Sequence, residues 1–223
     1  RLADVHDLLG AAYRRQGDLA RARQSYMKAL DLQPASPTLW NAYGGFLLLG
    51  AGDVPAAERA YERVIALAPD QNRGYEHLAA AYTLDCRYAD ALRTYERLPH
   101  PEQIHATARS NRATALFFAQ RFGEALPEYL EAVSGAPEAG ELRVNLGDCY
   151  ARLGRAEPAR QAYLEARRLL ERDLVSNPAD AAVRAEYAMT LAKLGERAAA
   201  LAEIDMHFAK LPAQAEPLHV VAK

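Results

Sequence analysis

The sequence predicts an all-α fold built of antiparallel helix pairs, and three observations carry that prediction. The composition is rich in Ala, Leu, Arg and Glu, which favour helices, and sparse in the β-branched residues that favour strands. A small residue followed three positions later by a large one recurs as "LGAAY" (9–13), "YGGFL" (43–47), "LAAAY" (78–82), "RATAL" (112–116), "LGDCY" (146–150) and "YAMTL" (187–191). About twelve residues after each comes an Ala with an aromatic or Ile four further on: Ala22/Tyr26, Ala57/Tyr61, Ala91/Tyr95, Ala125/Tyr129, Ala159/Tyr163 and Ala200/Ile204.

Each recurrence reads as one helical hairpin. The small residues Gly10, Gly44, Ala79, Ala113, Gly147 and Ala188 let the first helix approach its partner, and the Ala of each second pair does the same from the other side. Turn chemistry separates the two helices: "QGD" (16–18), "AGD" (51–53), "LGR" (153–155) and "LGE" (194–196) offer a glycine for a left-handed cap. Ser36-Pro37 reads as an N-cap followed by proline at the first helical position. Prolines 34, 69, 137, 178 and 212 close the second helices.

At these residues the chain resembles the tetratricopeptide repeat family, whose pattern is Trp, Leu-Gly and Tyr on the first helix, then Ala, an aromatic and Ala on the second, then Pro. The fifth repeat, "NLGDCYARLGRAEPARQAYLEA", shows most of it, and the second supplies the Trp as Trp40. The resemblance implies a right-handed superhelical solenoid, forming a single array over 1–223. Its repeats are placed at about 3–36, 37–71, 72–105, 106–139, 140–180 and 181–214, with a partial seventh helix in 215–223. The repeats step by 34 or 35 residues, except one step of 41. The extra seven residues fall in "ARRLLERDLVSNP" (166–178), where Ala166 waits twelve positions for its proline instead of five. Seven residues are close to two turns, so the same face stays inward, with Tyr163, Ala166, Leu170 and Leu174 on one stripe. The third repeat departs in the other direction. "LPHPEQ" (98–103) replaces its closing proline, so its second helix should stop a turn early and the next should start early, near Glu102. In the fourth repeat Arg109 and Arg112 stand where Trp and Leu are expected.

Charge and motif content narrow the function. Lys and Arg number 27 against 29 Asp and Glu, a net charge of -2, which argues against nucleic acid as a partner. No apolar run approaches a membrane span. Cys86 and Cys149 lie two repeats apart, too far for a disulfide, and a reducing, cytoplasmic setting fits them slightly better than a periplasmic one. The six histidines show no metal-ligand spacing, and no phosphate-binding glycine loop is present. Catalysis, cofactors and metals are therefore not expected.

The resemblance implies that the first helices line a concave groove for a protein or peptide. Projected onto this chain, the groove positions are Asn41, Arg73, His77, Asn111, Thr114, Phe117, Asn145, Asp148 and Arg152. The carboxylate clamp of chaperone-binding members does not fit, because Asp7 and Ala11 stand where Lys and Asn are needed and only Arg73 matches. Asn111 and Asn145 share one repeat position and Asn41 sits one off it; an amide can donate to and accept from a peptide main chain, or simply be solvated. Phe117 and Phe118 are consecutive and cannot share a helix face, so one is expected in the core and the other either projects toward the groove as an apolar anchor or packs in the core as well.

These readings make the chain a non-catalytic interaction scaffold. The long helix before "NP" resembles the C-terminal arrays of bacterial signalling proteins that carry a kinase, cyclase or winged-helix domain; the alternative is a free-standing assembly, secretion, pilus or polysaccharide-export factor. Self-association through exposed ends of the array is a further partner mode.

Overall fold

The computed structural model describes residues 2–208, and Pro212 and the partial helix expected in 215–223 lie outside the described residues. Among those residues the secondary structure is entirely helical. The order is α1 (Leu2–Arg15), α2 (Leu19–Leu32), α3 (Pro37–Leu49), α4 (Val54–Leu67), α5 (Asn72–Leu84), α6 (Tyr88–Tyr95), a 3-10 turn (Pro101–Gln103), α7 (Ala106–Phe118), α8 (Phe122–Gly135), α9 (Gly140–Arg152), α10 (Ala156–Ser176), α11 (Ala181–Lys193) and α12 (Arg197–Phe208). The chain divides into two compact units, Arg1–Gly135 with α1 to α8 and Ala136–Lys223 with α9 to α12.

Within each unit, consecutive helices pack as hairpins, α1 on α2, α3 on α4, and onward to α11 on α12. The reason is local. Gly10, Gly44, Ala79, Ala113, Gly147 and Ala188 are all buried, as are the six alanines opposite them. A tyrosine of the second helix lies across the glycines among them. A Cβ built on Gly44 would stand 2.7 Å from the Tyr61 ring, and one on Gly147 2.5 Å from the Tyr163 ring. That is closer than any side chain can come, so these two positions admit only glycine without moving the tyrosine. The turns follow the same economy. Gly17, Gly52, Gly154 and Gly195 take positive φ between the paired helices, and Cys86 and Gln120 hold that left-handed place in the two hairpins that lack the glycine.

Helix ends match their local chemistry. Ser36 Oγ accepts from Leu39 N–H at 3.4 Å with Pro37 at the first helical position, and Asp18 and Asp53 cap α2 and α4 in the same way. Prolines 34, 69, 137 and 178 each sit two residues beyond a second helix.

One recurring bond unifies residues that look unrelated in sequence. Trp40 Nε1–H donates to Pro34 O at 2.8 Å, Tyr75 O–H to Pro69 O at 3.3 Å, Arg143 to Pro137 O at 3.1 Å and Arg184 to Pro178 O at 2.7 Å. The position calls for a long side chain with a terminal donor, and Trp, Tyr and Arg all meet it by reaching the carbonyl six residues back. Arg109 has no such proline upstream. It turns to Glu131 at 2.7 Å and to Glu128 at 3.5 Å, while Arg112 pairs with Glu128.

The two irregular second helices take different courses. α6 has only 8 residues and stops at Tyr95, as expected. The next helix does not start near Glu102. Residues 96–105 form a strap with its 3-10 turn at Pro101–Gln103, and α7 begins at Ala106. Pro99 and Pro101 lack the N–H groups a helix would need there. Leu98 and Ile104 bury their side chains beside Tyr75, Ala79 and Tyr95, and the Asn72 amide pairs with the backbone of His100: Nδ2–H donates to His100 O at 2.6 Å, and His100 N–H donates to Asn72 Oδ1 at 3.0 Å. α10 runs unbroken for 21 residues, seven more than the 14 of α2, α4 and α8. Tyr163, Ala166 and Leu170 lie buried on its inner stripe with Leu169, while Leu174 is only half-buried.

Candidate functional site

In the first unit the four first helices α1, α3, α5 and α7 line a cavity of about 570 Å³. Helical spacing aims the side chains: Asn41, Gly45 and Leu48 on α3, His77, Ala80 and Leu84 on α5, and Asn111 and Thr114 on α7 fall one turn apart. The second helices contribute only the tips of Tyr26 and Tyr61. The surface is mainly apolar, with polar groups placed singly, the usual make-up of a ligand site.

Those polar groups are individually defined. His77 Nδ1–H donates to Asn41 Oδ1, and the imidazole stands edge-on to the Tyr61 ring with centroids 5.5 Å apart. Burial lowers the His77 pKa, and the nearby Arg73 and His105 lower it further, so the ring is neutral at physiological pH with Nε2 left as an acceptor. Burial pushes the Tyr61 phenol up to about 12, which keeps it a donor. Thr114 is held by its own helix, donating to Ser110 O at 2.9 Å with the Tyr129 hydroxyl at 3.0 Å. The Asn111 amide makes no side-chain hydrogen bond among the described residues and presents both donor and acceptor to the cavity.

Asn41 and His77 are also part of the wall of a second cavity, of about 620 Å³ and polar in lining, to which the strap contributes His100, Gln103 and His105. Arg73, Glu76, Asn72, His100 and His105 lie around it. Glu76 is 4% exposed, and burial raises its carboxyl pKa, with His105 and Arg73 pulling it partway back.

Of the nine residues projected from the sequence, the structure gathers five around these two cavities: Asn41, His77, Asn111 and Thr114 in the first, and Arg73, with Asn41 and His77 again, in the second. Phe117 lines neither. It is half-buried and packs edge-on to Phe118 and Phe122, and Phe118 is the exposed ring, 53% accessible and stacked on Tyr88. Asn145, Asp148 and Arg152 belong to the second unit. There Asp148 accepts from the Tyr163 hydroxyl at 2.7 Å and pairs with Lys193, Asn145 is half-buried and Arg152 is exposed. The strap and its polar cavity were not foreseen; the "LPHPEQ" departure was the signal for them.

Helical hairpins with small residues at their crossings, and a groove lined by first helices, define an interaction scaffold of helical repeats. The chain belongs to the tetratricopeptide repeat family, which matches it over residues 3–36, 45–103 and 110–173. Families of this kind are generally non-catalytic and engage proteins or peptides. Cellulose synthase operon protein C of Xanthomonas axonopodis pv. citri (strain 306) is 33% identical over 156 residues, which are 66% of this chain and 10% of that protein. The chain thus spans about a tenth of that curated relative's length. Among solved structures, a thermophilic TPR protein of Thermus thermophilus superposes with a TM-score of 0.67 at 21% identity, covering 85% of this chain and 98% of that one. YrrB, a TPR protein with an unusual peptide-binding site, superposes at 0.54 with 18% identity, covering 85% and 93%. At these identities the two structures speak for the fold alone. No helix among the described residues is long and apolar enough to cross a membrane.

Proposed function

We propose that the first unit is a non-catalytic receptor for an extended peptide segment of a protein partner, held in the cavity between α1, α3, α5 and α7. The observation that carries this reading is the convergence of Asn41, His77 and Asn111 on one apolar-floored cavity. Amide and imidazole groups can read a peptide main chain without fixing its sequence, and Leu48 and Leu84 give an apolar residue somewhere to go. That YrrB is a peptide-binding TPR protein is consistent with this use of the fold. Peptide-display selection on the folded chain tests it. Selected peptides should lose about tenfold in affinity with Asn111→Ala, the value of one hydrogen bond, and all measurable binding with Leu48→Glu. Failure to enrich any peptide, or enrichment indifferent to both substitutions, would sink the reading.

For the parent protein, the 33% identity to a cellulose synthase operon protein favours an assembly or export role over the signalling role suggested by the long helix. The gene sequence on the N-terminal side of Arg1 decides between them: a kinase, cyclase or winged-helix domain there reverses this preference. Exposed Leu2, Val5 and Leu8 on α1 support self-association at that end, which concentration-dependent mass measurements on the free chain would reveal.

A further inference from the structure

The strap gives the groove a second compartment with its own chemistry. Because Asn41 and His77 face both cavities, one extended ligand can reach into each. In the polar cavity the Glu76 carboxylate is the group left wanting. Its Oε2 stands 3.6 Å from His105 Nε2, beyond hydrogen-bond range, and its buried Oε1 has no hydrogen-bond partner. A carboxylate taken out of water without donors is disfavoured, and an arriving N–H donor relieves that penalty. The basic side chains nearby do not supply it. Arg73 is exposed and makes no hydrogen bond or ion pair among the described residues, and the His105 side chain is largely in solvent. The Tyr95 hydroxyl is also buried without a partner and close enough to feel the Glu76 charge, but a single O–H answers only one of the carboxylate's lone pairs. Beside Glu76, His77 offers a second acceptor at Nε2, since its Nδ1–H is committed to Asn41.

We infer that the polar cavity selects a basic side chain, the ammonium or guanidinium of a Lys or Arg in the bound peptide, with Glu76 as its carboxylate and His77 Nε2 as a second acceptor. An apolar residue of the same peptide occupies the first cavity against Leu48. This rests on the peptide-binding reading of the groove and adds a charge preference opposite to that of a carboxylate clamp.

The test is a display library with one fixed Leu and randomised flanks, selected on the full chain and on its variants. Lys or Arg should be enriched at one fixed spacing from the Leu. A labelled winner should bind at least tenfold more weakly when its Lys is acetylated. Glu76→Gln should abolish that difference, and Arg73→Ala, which removes a competing cation, should tighten the Lys peptide several-fold. If Glu76→Gln unfolds the chain, the acetylated peptide and Arg73→Ala remain as independent readouts. Equal binding of the Lys and acetyl-Lys peptides, or enrichment of Asp or Glu, overturns the inference. Enrichment of apolar residues without a basic one overturns this inference alone, whereas enrichment of nothing overturns the groove reading beneath it.

Discussion

The second helices α6 and α10 depart most from the 14-residue length of α2, α4 and α8 among the described residues, and they do so in opposite ways. α6 has 8 residues and α10 has 21. Where the helix is shortened, the chain must still travel to the next hairpin, and it does so as a strap. Its two apolar residues, Leu98 and Ile104, go into the core, while its polar atoms wall a cavity. Where the helix is lengthened by nearly two turns, the inward face is preserved. Leu170 then packs with Val144 and Ala166 against Val183 and Tyr187, and the charged face engages the next hairpin through Arg167 to Glu196 at 2.6 Å and the Tyr187 hydroxyl to Glu171 at 2.8 Å. Removing helix leaves a polar cavity; adding helix extends a packing surface.

The largest expected effect lies in α10. Leu170 is 1% exposed, and Leu170→Ala should cost about 3 kcal/mol by leaving a cavity under α11. Deleting residues 167–173 changes more of the sequence yet should do less harm. It brings Pro178 back to five residues after Ala166, and the segment then reads "ALVSNP" beside the "ALDLQP" of 29–34. Urea melts followed by circular dichroism compare the two. A deletion variant less stable than Leu170→Ala would show that the extension is required for the hairpin rather than a lengthened version of it.

Much of this was legible in the sequence because the repeat writes its geometry into residue size. Gly147 under Tyr163 and Ala22 at a helix crossing are steric necessities, and steric necessity recurs at fixed spacing. Asn41, His77, Asn111 and Thr114 meet around one cavity because helical periodicity alone puts them on one face. What was not legible depended on partners distant in sequence. Glu76 reads as a solvated groove residue until the strap covers it. Asn72 reads as an ordinary helix start, and only its bonds to His100, 28 residues away, show that it holds the strap. Phe117 and Phe118 could be told apart only once Tyr88 and Phe122 had taken their places beside them.

The Asn72 link gives a second, smaller prediction about the short-helix side. Asn72→Ala removes both bonds to the His100 backbone and should destabilise the first unit by about 1–2 kcal/mol. The effect should concentrate in the strap, so amide exchange at His100 should quicken far more than exchange in α3 or α4. Unchanged exchange at that amide would mean that Leu98 and Ile104 alone hold the strap.

The smallest expected effect is a gain. Burial raises the Glu76 carboxyl pKa, so the folded chain binds that proton more tightly than the unfolded chain does. The resulting stabilisation is fully present below the unfolded-state carboxyl value of about 4.3 and is lost as the pH rises through the higher folded-state value. Gln carries no such dependence. Glu76→Gln should therefore match the natural chain at about pH 4 and exceed it by about 1 kcal/mol at neutral pH. Asp7 and Glu186, whose carboxyls burial also raises, contribute equally to both chains and cancel in the difference. Urea melts of the two proteins at both pH values measure it. A Glu76→Gln chain less stable than its parent at neutral pH would show the carboxylate already satisfied within the fold, and a satisfied carboxylate has no need of a basic side chain from outside. The site made by shortening a helix would then be a structural clasp, no different in kind from the contacts made by lengthening one.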